Sequence, residues 1–132
     1  MIRATPLRKV DRIALALLLI GIGLVPWTVY LALALPSRHV QDEYYDVAWA
    51  GFDVLLASML VLTGVALLRH SAWCQSAAAS AATLLACDAW FDVLSAHGSG
   101  ERLRAVLLAV LAELPTAAVC VWIARGAAFV SE

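Results

Sequence analysis

The sequence predicts an all-α integral membrane protein, a single domain of four helices crossing the bilayer as an antiparallel, up-down bundle, and three observations carry that prediction. Its 132 residues are 64% hydrophobic and only 14% charged, with a mean hydropathy of +0.88, a composition unlike that of a soluble domain. The apolar residues fall into four runs, each near the ~20 residues that cross a hydrocarbon core as a helix. The connectors between the runs are short, which makes consecutive helices antiparallel neighbours. No alternating segments of the kind a closed barrel needs are present, so helices are left to satisfy the backbone in lipid.

The first run, Ile13 to Leu35, contains no charge, and as a helix it reaches about 34 Å. Basic residues precede it and Ala32-Leu33-Ala34 resembles a cleavage motif, which is also the pattern of a signal peptide. The apolar core of such a peptide is normally much shorter, and the run is read as a span. The second span is expected over residues 46–68, the third over 72–94 and the fourth over 103–124. Ser71 and Ser99 are candidate N-caps, and His97-Gly98-Ser99-Gly100 interrupts the chain before the last helix.

Orientation follows from the basic residues. Arg3, Arg8, Lys9, Arg12, Arg69 and Arg125 fall on the side shared by both termini, against Arg38, Arg102 and Arg104 on the other, so both termini are expected in the cytoplasm. Trp27, Tyr44, Tyr45, Trp49, Trp73 and Trp122 suit the aromatic belts at the two membrane surfaces. A formal net charge of −1 leaves no basic face for nucleic acid. Cys74, Cys87 and Cys120 match no CxxC or CxxCH spacing and read as small core residues.

The chemistry lies in the acids. Asp46, Asp53, Asp88, Asp92 and Glu113 sit in or at the edge of spans whose only Lys or Arg is Arg104, at the start of the fourth. An ionised carboxylate in hydrocarbon is costly enough that it must take a proton, share one, bind a cation or reach a basic group at the interface. On the expected topology the four aspartates gather in the outer half of the membrane. Asp46 and Asp53 lie seven residues apart, Asp88 and Asp92 four apart, so each pair shares a helix face.

The first stripe continues through Ala50, Ala57 and Gly64, small residues that permit close helix contact. A second runs through Ala77, Ala81, Leu84, Asp88 and Asp92, and a third through Ala109, Glu113, Thr116 and Cys120. The expected arrangement is one cavity with Asp53 facing Asp88. Glu113, the deepest acid, is expected to be neutral. Pro115 cannot donate to the carbonyl of Leu111 and so leaves an acceptor near the Glu113 carboxyl. The bland alternatives are hydration at the surface for Asp46 and Asp92, and neutral hydrogen bonding between helices for Asp53, Asp88 and Glu113. His39 and His97, in the two outer connectors, could add nitrogen ligands for a metal, but no fixed ligand spacing such as HExxH supports one and the metal is left unassigned. No phosphate loop, nucleophile elbow or haem-ligand pattern is present, and no cofactor is assigned.

Trp49-Ala50-Gly51-Phe52-Asp53-Val54, Cys87-Asp88-Ala89-Trp90-Phe91-Asp92-Val93 and Glu113-Leu114-Pro115 resemble segments of uncharacterised small membrane proteins of high-GC Gram-positive bacteria. The resemblance covers the second to fourth spans. It implies a four-helix membrane fold and a bacterial plasma membrane, and no activity.

Three functions fit these expectations. One is a small carrier or channel whose outward-facing acidic cavity binds protons, a metal cation or a cationic ligand; four helices make a narrow pore, so a homo-oligomer is expected with it. The second is a non-catalytic accessory or assembly subunit docked by its small-residue faces in a larger membrane complex. The third is a membrane-embedded enzyme using the carboxylates, which the absence of catalytic motifs disfavours.

Overall fold

The structure is a computed structural model that describes residues 8–34 and 43–126, with side chains placed for residues 8–30 and 47–126. It is all-helical: α1 is Lys9–Ala34, α2 Glu43–Leu68, α3 Cys74–Ser95 and α4 Ser99–Leu108; a π-helical turn, Ala109–Glu113, then joins α4 to α5, Leu114–Ala124. Among the described residues four stretches are long and apolar enough to cross a membrane: Lys9–Tyr30, Val47–Leu68, Cys74–Ser95 and Ser99–Ala124. The fourth is α4, the π turn and α5 together. Large apolar side chains point outward along them, Leu19 at 72% exposure and Leu111 at 73%, an inversion that suits lipid as the solvent.

The chain divides into two compact units, residues 1–71 and 72–132. In the first, α1 packs along α2. Ala14 and Leu18 meet Gly64, Gly21 meets Ala57, Leu60 and Val61, and Thr28 meets Asp53, so the numbers rise on one helix as they fall on the other and the pair is antiparallel. Two glycines set the separation. A Cβ at Gly21 would stand 2.9 Å from Val61 Cγ2 and 3.0 Å from the Ala57 carbonyl oxygen, and one at Gly64 would stand 2.7 Å from Leu18 Cγ and 2.9 Å from the Ala14 carbonyl oxygen. Helices lacking a side chain at the crossing bring their backbones into van der Waals contact, the main attraction left where lipid is as apolar as the core. The buried face of α2 runs through Leu56, Ala57, Leu60, Thr63 and Leu67; of the stripe read from the sequence, Ala57 and Gly64 are buried, Ala50 and Asp53 are half-buried, and the Asp46 side chain lies outside the described residues.

In the second unit, α3 packs against α4, the π turn and α5. Its seam is built of small residues, with Cys74, Ala77, Ala78, Ala81, Ala82 and Ala89 on one side and Ala105, Ala109, Ala117 and Cys120 on the other, all buried. Cys74 and Cys120 are fully buried, as small core residues. The buried face of α3 passes through Leu85; Leu84, expected there, is half-buried one position off the seam. Hydroxyls are satisfied within their own helices: Ser58, Thr63, Ser80, Thr83 and Thr116 each donate to the carbonyl four residues earlier.

Neither expected serine cap is one. The N-cap positions are Trp73 for α3 and Gly98 for α4, without side-chain capping bonds. Ser71 instead closes the previous helix: its amide donates to the Ala66 carbonyl at 2.9 Å and that of His70 to Leu67 at 3.3 Å, a Schellman ending with His70 at φ 49°. Ser99 is already helical because Gly98, at φ 89°, makes the turn before it. Glu101 then reaches back to accept from the amide of His97 at 3.2 Å, serving one of the free amides at this helix start.

Candidate functional site

Each expected acid has a place in one unit. Asp53 is half-buried on the α1-facing side of α2, where the Thr28 hydroxyl lies 3.0 Å from its Oδ2. Thr28 was not legible as its partner from the sequence, since which threonine of α1 comes level with Asp53 depends on the helix register. Asp46 is backbone in α2, and its side chain lies outside the described residues, as do the side chains of Tyr44 and Tyr45 and all of His39. The face shared by Asp46 and Asp53 therefore rests on spacing alone.

Asp88, Asp92 and Glu113 are all half-buried in the second unit. Asp88 and Asp92 occupy the last two turns of α3, three residues beyond Leu85 and Ala89 respectively, on the flank of the buried seam. Glu113 is the last residue of the π turn, near the midpoint of the fourth span, Ser99–Ala124. Asp92 and Glu113 belong to the same compact unit, one near the end of α3 and the other at the end of the π turn. The Glu113 oxygen Oε2 is the one buried side-chain polar atom among the described residues without a hydrogen-bond partner.

The backbone around Glu113 is also short of donors. In the π turn the amide of Leu114 donates to Ala109, five residues back, rather than to Val110. The next residue is Pro115, with no amide to give to Val110 or Leu111. The Val110 carbonyl thus loses the helical donor it would have in either an α or a π register. The sequence indicated the proline and the Leu111 carbonyl; the π turn adds a second carbonyl that only the structure reveals. Single π turns inside α-helices recur at functional sites because they expose backbone groups in this way. The Glu113 oxygen without a partner and the Val110 and Leu111 carbonyls are all acceptors, which suits a proton or a cation.

Among the described residues no group of three His, Cys, Asp or Glu side chains is placed to hold a metal ion, and His97 is exposed in the connector before α4. Comparison of the chain with protein-family models, with curated proteins and with solved structures finds no match.

Proposed function

We propose that this is a multi-pass protein of a bacterial plasma membrane whose second helix unit binds a proton or a cation at Asp92 and Glu113, as part of a small carrier or channel. The observation that supports the reading most is the buried Glu113 oxygen without a partner, at a π turn followed by proline. A carboxyl so placed in hydrocarbon is stabilised by taking up a positive charge, and it gives that charge up when the balance of the site changes. Asp88, one turn before Asp92, is the adjacent acid on the same helix.

The orientation in this proposal is the one the basic residues favour, with both termini in the cytoplasm and the end of α3 toward the outside. Impermeant thiol labelling tests it. A cysteine introduced at Ser37 or Ser99 is expected to react from outside, and one at Ser131 only after permeabilisation. External reaction at Ser131 would invert the topology and carry Asp88 and Asp92 to the inner half of the membrane.

An accessory subunit would share the membrane fold but not the binding. Purification at native expression separates the two, because a homo-oligomer that takes up protons or cations in proportion to its own amount supports the proposal. A stoichiometric larger partner, with no uptake by this chain, replaces the proposal with the accessory reading.

A further inference from the structure

We propose that Asp53 holds a resident proton and acts as a neutral clasp between α1 and α2, donating it to the Thr28 hydroxyl. This goes beyond the reading of Asp92 and Glu113 and does not depend on it, since Asp53 and Thr28 both belong to the first unit.

The inference comes from counting hydrogens. Thr28 Oγ1 lies 3.0 Å from Asp53 Oδ2 and 2.9 Å from the carbonyl oxygen of Leu24. Both separations are those of full hydrogen bonds. A threonine hydroxyl has one hydrogen and two lone pairs, while a carbonyl and an ionised carboxylate have no hydrogen at all. With Asp53 ionised, Thr28 has one hydrogen to divide between the Leu24 carbonyl and the carboxylate, so neither contact is a full two-centre bond. With Asp53 protonated, each contact is complete: the carboxyl donates to Thr28 Oγ1, and Thr28 donates to the Leu24 carbonyl. The position of the hydrogens follows from the network of heavy atoms.

The surroundings favour the same state. Thr28 is buried, at 9% exposure, so the shared oxygen has little water to supply a missing donor. On α1 the charged residues Lys9, Asp11 and Arg12 lie at the far end of the helix from Thr28. Tyr30, the other titratable group near this end, has its ring exposed and set 6.0 Å from that of Trp27. On α2 the basic residue Arg69 follows the far end, and the nearer ionisable residues, Glu43 and Asp46, are acids. No described basic group on either helix stands at the depth of Asp53 to hold an ionised form. The clasp fixes α1 against α2 near one end of the pair, beyond the glycine contacts that set their separation, and a carboxyl engaged in this way is no ligand for a metal cation.

Infrared spectroscopy of the full chain in lipid bilayers at pH 7 reads the proton directly. The parent is expected to show a protonated-carboxyl band that is lost in Asp53→Asn, shifted in Thr28→Val and retained in Thr28→Ser. Asp53→Asn keeps a donor and an acceptor at the same place and is expected to keep the helical circular dichroism and melting of the parent. Parent and Asp53→Asn spectra that agree throughout the protonated-carboxyl region would overturn the proposal. A band that Thr28→Val leaves unmoved, in a protein that remains helical, would overturn the pairing with Thr28.

Discussion

Glu113→Lys is expected to impair insertion and packing more than any other single change in the second unit, and its size should depend on Asp92. A fixed positive charge near mid-membrane costs roughly 2.5 to 3.5 kcal/mol on the insertion scale. In the lysine variant the Asp92 carboxylate of the same unit becomes a source of compensation. Asp92→Asn should therefore differ between two backgrounds: near neutral in the parent, where Glu113 is an uncharged acid, and destabilising by about 1 kcal/mol or more beside Lys. Unfolding in mild detergent, carried out as a double-mutant cycle, reads both. Equal effects in the two backgrounds would mean that Asp92 and position 113 do not feel each other. Glu113→Gln is expected to be well tolerated for folding, because the amide keeps the shape of a neutral acid and most of its hydrogen-bonding capacity.

The second large effect is at the α1–α2 crossing. Gly64→Ala places a Cβ 2.9 Å from a backbone carbonyl oxygen, that of Ala14, and 2.7 Å from Leu18 Cγ. Neither position is the free end of a flexible side chain, so the helices must separate. Overpacking of this kind typically costs about 1 to 3 kcal/mol, and Gly64→Leu should exceed it. Gly51→Ala on the same helix is the control: no atom lies within 4 Å of a Cβ there, and alanine is the better helix former by about 0.8 to 1 kcal/mol in water. Melting of the purified protein should fall for Gly64→Ala and hold or rise for Gly51→Ala. Equal effects at the two positions would contradict the close crossing.

How far the sequence foretold these features depends on what each one requires. The four apolar helices were legible because hydropathy and length alone decide them in a bilayer, and the structure moves their ends by a few residues, most at the first and fourth, which begin at Lys9 rather than Ile13 and at Ser99 rather than Leu103. The Asp53, Ala57 and Gly64 stripe was legible because helical spacing puts those residues on one face. Gly21, its counterpart on α1, was not, since one glycine in an apolar run announces nothing until the partner helix is set against it. The same lack of register hid Thr28. Ser71 and Ser99 misled because a serine before a helix resembles a cap, whereas the chain turns at His70 and Gly98. Pro115 signalled a gap in the fourth helix, but a π turn adds one residue without changing composition and leaves no mark in the sequence.

Titration of Glu113 in bilayers tests the proton or cation site at that turn. Infrared spectra of the parent, Glu113→Gln and Asp92→Asn should be followed across the pH range, with helicity checked in each sample. The parent should show a protonated-carboxyl band that disappears as pH rises. Glu113→Gln should remove that titrating band with the fold intact, and Asp92→Asn should move the pH at which it disappears. A parent and a folded Glu113→Gln variant with the same titration would contradict the assignment of a proton or cation site to Glu113.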